Sequence, residues 1–265
     1  MEQKVAVEIR DLVKDYSIAR GQKEQLKSLL FPGKSKAETF RALDGVTADF
    51  CFGERVGLIG LNGSGKSTLS SIISGITQPT AGHIDVRGTV SMLNTSIGLN
   101  PRLTGRESIY YKCLLLGFSM EQIQKMEPEI VKFASIGLHI DQPMRTYSSG
   151  MRARLGFAIS SQLEPDILVV DEALAVGDDT FAAKCEEWMT EFCQKGRCII
   201  FVSHSLSTMK QFCQKVLWLH HGRQVAYGEA QQVLEAYWRF TQQFKKLSPA
   251  EQDTYMPTLE EFLKK

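Results

Sequence analysis

Val56-Gly57-Leu58-Ile59-Gly60-Leu61-Asn62-Gly63-Ser64-Gly65-Lys66-Ser67 is the stretch on which the fold turns. Val56 to Gly60 is apolar and reads as a strand, the loop that follows is rich in glycine, and Thr68 to Ser74 continue as a helix. Glycines let backbone N–H groups curl around an anion, and a helix N-terminus adds the positive end of its dipole. The spacing fits G-x-x-x-x-G-K-[ST] without departure, and strand, loop, helix is the context which that pattern requires. Gly60, Asn62, Gly63, Ser64 and Gly65 are therefore expected to cradle phosphate. Lys66 would reach the terminal phosphates of ATP, Ser67 would ligate Mg2+ through its hydroxyl, and Thr68 would assist at the inner phosphates. An ordinary glycine turn before a helix is the plain alternative, and the strand in front of the loop argues against it.

Three further segments extend this chemistry. Asp171-Glu172 follows the apolar run Ile167-Leu168-Val169-Val170, and a strand's C-terminal end is where open α/β sheets bind ligands. Asp171 would hold Mg2+ through water, and Glu172 could polarise the attacking water. His204 ends the apolar run Cys198 to Val202 and could touch the γ-phosphate and sense hydrolysis, although a lone histidine is more often structural. Tyr147-Ser148-Ser149-Gly150-Met151 opens a helix carrying Arg152, Arg154, Leu155, Phe157 and Ile159. Ser148 or Ser149 can cap that helix, and its free N–H groups form a second anion site. Taken alone, the segment reads as a plain helix N-cap.

Composition narrows the function classes. The chain of 265 residues has 31 lysines and arginines against 30 acidic residues, a net charge of +1, and 43% hydrophobic residues. That is enough for one large domain with subdomains. The balance argues against a dedicated nucleic-acid binder, which wants a basic excess. Six cysteines with no C-x-x-C pair read as reduced, packed thiols, not a zinc site. No apolar run approaches a spanning helix, and Met1-Glu2-Gln3-Lys4 lacks signal-peptide order. A cytoplasmic location is expected, with membrane association through a partner or a surface contact.

Outside the chemistry, Val5 to Leu12 alternates as a strand, while residues 17–40 are polar and basic and read as a long insertion. Within it Leu26, Leu29, Leu30 and Phe31 could form one helix face packed on the domain. Alternatively, Arg20, Lys23, Lys27, Lys34 and Lys36 would suit lipid phosphates. Thr104-Gly105-Arg106-Glu107 is a capping box, and residues 104–146 read as mostly helical with breaks near Gly117 and Gly137. Ile167–Val170 and Cys198–Val202 read as buried parallel strands. Val216–Leu219 and Gln224–Tyr227 form a hairpin around His221-Gly222, followed by a helix from Glu229 to about Lys245 and a tail with Leu259 and Phe262 as docking residues.

Over residues 3–240 the ordered set of phosphate loop, YSSGM, ILVVDE, Ala175-Val176-Gly177-Asp178 and His204 resembles an ABC ATPase nucleotide-binding domain. The resemblance implies an α/β fold, a P-loop RecA-like core with an antiparallel β subdomain and an α-helical subdomain. It places the ATPase domain at 1–245, the helical subdomain at about 100–160, and a short helical tail at 246–265. It implies that Tyr16 stacks on adenine, that Ser149 and Gly150, beside Ser148, contact the γ-phosphate of a second copy, and that Asp178 lies at the dimer interface. Two departures stand out. The signature reads YSSGM where LSGGQ is common, and Asn94 or Thr95 falls where most relatives place a glutamine that couples Mg2+ to the membrane subunit.

YSSGM, the run Gly98 to Glu107 and the basic insertion together look like the ATPases of polysaccharide exporters, a group that includes the O-antigen and teichoic-acid systems. The chain ends at Lys265, before the extra carbohydrate-binding domain of many O-antigen relatives, which favours the teichoic-acid branch over an O-antigen or capsule exporter. The expectation is an ATP- and Mg2+-dependent homodimer acting on two copies of a membrane permease, peripheral at the cytoplasmic face of the membrane. An importer or small-lipid exporter ATPase is the weaker transport reading. A ribosome or DNA protein is disfavoured by the single cassette and the lack of sustained heptads.

Overall fold

The computed structural model describes residues 4–18, 38–93, 100–171, 179–203 and 205–263. Along the chain come β1 (Val5–Ile18), β2 (Glu38–Cys51), β3 (Arg55–Ile59), α1 (Lys66–Ile73), β4 (Ala81–Val86), β5 (Val90–Leu93), α2 (Gly105–Leu115) and α3 (Met120–Ala134). Two short 3-10 turns, Gly137–Asp141 and Met144–Thr146, lead into α4 (Ser149–Ser160), β6 (Ile167–Asp171), α5 (Asp179–Gln194), β7 (Cys198–Val202) and α6 (Leu206–Phe212). The chain continues through β8 (Lys215–His220), β9 (Arg223–Glu229), α7 (Ala230–Phe244), α8 (Pro249–Thr254) and α9 (Leu259–Leu263). The described residues fall into two units, one drawn from Val5–Cys51, Leu58–Arg87 and Lys215–Lys265, the other from Phe52–Gly57 and Gly88–Gln214.

In the first unit, β2, β1 and β4 form an antiparallel sheet in that order. Ala6, Val7, Ile9 and Leu12 of β1 are buried, and Val7 faces Phe50 of β2 and Val86 of β4. β1 runs to Ile18 and β2 begins at Glu38, so the ends of the stretch read as an insertion belong to the sheet. Cross-strand pairing explains this: Ser17 pairs with Thr39 and Tyr16 with Phe40, a register invisible in either segment alone. The apolar helix face and basic side chains expected at residues 20–36 lie outside the described residues.

β8 and β9 pair antiparallel around a turn at His221 and Gly222, both with positive φ (46° and 77°). Such a two-residue turn matches the right-handed twist of its strands. α7 buries Val233, Leu234, Ala236, Tyr237 and Phe240. Phe240 and Phe262 pack against the fully buried Trp218, with ring centroids 5.1 and 6.3 Å from it, so α9 closes over the same cluster.

In the second unit, β5, β6 and β7 pair parallel, with Val90 opposite Ile167 and Ile167 opposite Cys198. Ile167 to Val170 and all of β7 are buried, as expected of strands covered on both faces. The helical stretch breaks where expected, at Gly117 (φ 89°) and Gly137 (φ 57°). α2, α3 and α4 enclose a core that includes Ile109, Ile123, Ile130, Tyr147, Leu155 and Ile159. Arg106 of α2 ties this part together by pairing with Asp141 at 2.7 Å and with Glu127 of α3. All six cysteines are buried, and none forms a disulfide. Among the described residues no helix is long and apolar enough to cross a membrane.

Burial, with neighbouring His221, pushes the pKa of His220 down to about 4 from an ordinary 6.5. Between those values the unfolded chain binds more protons than the folded one, so stability is lost as pH falls from about 6.5 through about 4. Thermal melting followed by circular dichroism should show this loss. His220→Gln, which keeps a side-chain donor but does not titrate, should flatten that part of the profile.

Candidate functional site

The phosphate loop leaves β3 at Ile59 and enters α1 at Lys66. Its shape is imposed by close packing. A Cβ on Gly60 would lie 2.3 Å from the Leu219 carbonyl oxygen, and one on Gly65 would lie 2.7 Å from both Ala42 O and Leu43 Cδ2. Gly65 also has φ 103° and sits at the N-cap of α1 with no side-chain capping bond. The start of α1 is therefore not closed by an N-cap side chain. Around Gly63 (φ 77°) the space that a Cβ would enter is open.

Lys66 is buried, and its Nζ donates to Gly60 O at 2.8 Å and Leu61 O at 3.0 Å, which holds the ammonium along the loop's own backbone. Ser64 Oγ is buried without a hydrogen-bond partner. An uncapped helix start, an ammonium and an orphaned hydroxyl on one tight loop fit an oxygen-rich anion such as a polyphosphate. Ser67 is exposed and Thr68 half-buried in the first turn of α1, and Asn62 is exposed on the loop. The exposed Ser67 hydroxyl suits a hard cation such as Mg2+.

Tyr16 lies near the end of β1, exposed, with the Lys14 ammonium 5.1 Å from its ring centroid. Its direct cross-strand partner is Phe40, also exposed. Opposite residues of an antiparallel pair share a face, so the two rings flank one surface. Phe40 was missed because residues 17–40 read as insertion; the signal was an aromatic residue two positions before the buried Ala42, in strand alternation.

In the other unit, Ser148 is the N-cap of α4, its Oγ accepting from Met151 N at 3.2 Å. Ser148 and Ser149 are exposed, and Gly150 is half-buried. Tyr147, by contrast, is buried and anchors the segment. Its hydroxyl donates to His139 O at 2.5 Å, and burial raises its pKa, which keeps that proton in place. A Cβ on Gly105 would lie 2.2 Å from this hydroxyl, so Gly105 of the capping box is small because Tyr147 is large. Backbone bonds from Met144 N to Leu103 O and from Arg145 N to Pro101 O join the same two segments. The capping box itself forms as expected, with Thr104 Oγ1 accepting from Glu107 N and Glu107 Oε2 from Thr104 N.

Asp171 is the last residue of β6, in register with Val202 of β7. Glu172, Asp178, His204, Asn94 and Thr95 lie outside the described residues, as does the side chain of Asp171. Among the described residues no cluster of three His, Cys, Asp or Glu could hold a metal.

The family model described as "ABC transporter" matches residues 43–175, from β2 through the loop and the α4 segment to just past β6. The chain belongs to the ABC transporter family. It is 45% identical over 257 residues to a Staphylococcus haemolyticus protein named teichoic acids export ATP-binding protein TagH, spanning 97% of each chain. It is 46% identical to the Staphylococcus epidermidis protein of that name, again spanning 97% of both. A third protein so named, from Enterococcus faecalis, is 46% identical over 96% of this chain, which spans 57% of that relative's length. Among solved structures, a dimeric ATP-binding cassette in a post-hydrolysis state with ADP and Pi aligns with TM-score 0.68 at 20% identity, covering 84% of this chain and 98% of that one. An ATP-binding subunit of an ABC transporter aligns with TM-score 0.68 at 23% identity, covering 94% and 98%. These likenesses show the ABC cassette fold, an α/β domain with parallel and antiparallel sheets.

The Gly105–Tyr147 contact is testable by a double-mutant cycle in urea. Tyr147→Phe should cost about 1 kcal/mol for the lost hydrogen bond. Gly105→Ala alone should cost about 1–3 kcal/mol from overpacking, and less in the Tyr147→Phe background. Strict additivity would show that the two side chains do not share the space.

Proposed function

We propose that the chain is the ATP-hydrolysing subunit of an ABC exporter that drives a lipid-linked cell-surface polymer, wall teichoic acid, across the membrane. The observation that carries the cargo is the 45% identity to the Staphylococcus haemolyticus protein over 97% of both chains. What carries the ATPase reading is the loop itself, with its uncapped α1, its orphaned Ser64 hydroxyl and the Lys66 ammonium.

On this reading the amides from Gly63 to Ser67 and the N-terminus of α1 take the phosphates, and Lys66 swings from Gly60 O and Leu61 O toward the terminal ones. Ser67 and Asp171 would hold Mg2+. When bound, Mg2+ neutralises charge on the β- and γ-phosphate oxygens. Glu172 orients and polarises the attacking water, and His204 faces the γ-phosphate. Tyr16 stacks on adenine, and the neighbouring Phe40 ring widens that platform.

The Ser149 and Gly150 amides at the start of α4, with the Ser148 and Ser149 hydroxyls, serve the nucleotide of a second copy, and Asp178 lies at that interface. Two such composite sites make the working unit a homodimer. It would sit on two permease copies, peripheral to the membrane, with ATP binding closing the dimer and hydrolysis reopening it.

Lys66→Ala should lose nucleotide binding by at least about tenfold, the worth of one charge-assisted contact, in calorimetry with Mg-ATP. Glu172→Gln should keep ATP binding while turnover falls by about 100-fold or more, and it should run as a dimer on gel filtration with ATP. A Glu172→Gln chain that stays monomeric while binding ATP would count against the composite site. For the cargo, depletion of the protein in its own cells should leave polymer precursors on the inner leaflet, and unchanged surface teichoic acid would refute that assignment.

A further inference from the structure

The turn between β8 and β9 touches the phosphate loop on one side and the C-terminal segment on the other. On the loop side Gly222 N donates to Ser64 O at 3.1 Å, and Gly222 O accepts from Asp44 N at 2.9 Å. No side chain fits at Gly222, where a Cβ would lie 2.8 Å from Ala42 O. Just before the turn, the Leu219 carbonyl closes on Gly60. The loop is therefore in contact with the turn through Gly60 and Ser64, and a small displacement of the turn has no slack in which to be absorbed.

On the other side, two consecutive imidazoles reach into the segment after α7. His220 Nε2 lies 3.0 Å from Tyr255 O, and His221 Nε2 lies 3.1 Å from Gln252 O. A carbonyl oxygen only accepts, so both rings carry a proton on Nε2 and donate. His220 packs edge-on against Phe240 and Phe244, with centroids at 5.1 and 5.5 Å. The segment is stitched down in turn. Gln252 Nε2 donates to Phe244 O and Leu247 O at 3.0 and 3.1 Å, Arg239 donates to Phe262 O at 3.2 Å, and the Phe262 ring is buried.

His221 also has φ 46°, a conformation that costs a non-glycine residue free energy unless its surroundings hold it. Here the β8–β9 pairing holds it, and the bond to Gln252 adds a tie from the side chain.

We propose that residues 248–263 form a brace for the phosphate loop, acting through the His220-His221-Gly222 turn, with His221 a positioning residue for nucleotide phosphates. The brace rests on the reading of the loop as the ATP site and goes beyond it, because it makes phosphate affinity depend on a segment that touches no phosphate. A contact that lifts the segment loosens the turn, lets the Gly222–Ser64 bond open, and weakens the cradle.

The test uses the full chain with Mg-ATP in calorimetry, together with hydrogen exchange on the unliganded protein. His221→Ala should weaken binding about five- to tenfold, the equivalent of about one hydrogen bond, and raise amide exchange in the peptides containing residues 60–66 and Gly222. His221→Gln, whose amide offers a donor at similar reach, should restore both. Val7→Ala, a buried position on β1 away from the turn, should lower the melting temperature with the affinity unchanged. Unaltered affinity in His221→Ala, failure of His221→Gln to restore it, or an equal loss in Val7→Ala overturns the brace. Lys66→Ala separates the two claims. If it loses binding while His221→Ala does not, only the brace fails; if it binds as the unaltered chain does, the reading of the loop fails and the brace with it.

Discussion

The phosphate loop has no room for a side chain at Gly60 or Gly65, and much of the first unit follows from that. Gly60 lies against a β8 carbonyl and Gly65 against β2, so the backbone bends in a channel whose walls are other strands. The result is a helix start that no N-cap side chain closes. Among the described helices α2, α3 and α8 begin with complete capping boxes and α4 and α6 with serine caps, while α1 and α7 begin with no side-chain cap. α1 begins at Gly65 with no capping side chain. An N-cap side chain is worth about 1 kcal/mol, and at α1 its omission coincides with the glycine loop, which leaves the helix start open to a ligand.

The helical part of the second unit solves the opposite problem. Its helix α4 must offer amides at an exposed surface and still hold position. Ser148 takes one amide as cap, and Tyr147, one residue earlier, roots the segment in the core through His139 O and Gly105. The spelling YSSGM thus has a structural reason at its first letter. A tyrosine there brings a hydroxyl that needs an acceptor, and the small residue that makes room for it sits in the TGRE capping box. Two sequence features that drew attention separately are one packed contact.

What was legible in the sequence was local chemistry. The strand before the loop, α1, the capping box, the breaks at Gly117 and Gly137, the two parallel strands and the hairpin at His221-Gly222 each carry their signal within a few residues. β2 and β4 were not legible. β2 contains Gly45 and charged Arg41 and Asp44, whose side chains pair with each other, and Asp44 also with Arg223, 179 residues away. Residues of β4 are exposed or half-buried, so no apolar alternation announces it. Phe40 escaped for the same reason: its meaning lies in facing Tyr16, a pairing between segments that the sequence separates by more than twenty residues. The partners of Tyr147, Gly222 and the two histidines were likewise set by tertiary contact.

Preorganisation connects these observations. A site that binds phosphate strongly must have its donors already in place, because ordering them on binding would subtract from the affinity. In this chain each half of the proposed composite site is ordered by its own unit. The loop takes its shape from β2, β8 and the turn at Gly222, while the start of α4 takes its shape from Tyr147 and the 3-10 turns before it. If the loop of one copy meets the signature of another, Lys66 moves but neither backbone has to be ordered for the encounter, and the free energy of ATP binding is available for closing the dimer. The brace adds one adjustable element to an otherwise rigid half. Phosphate affinity is set by whether a tail held by two imidazole hydrogen bonds keeps its hold on the turn, so a partner acting on the tail could change nucleotide binding without approaching the nucleotide.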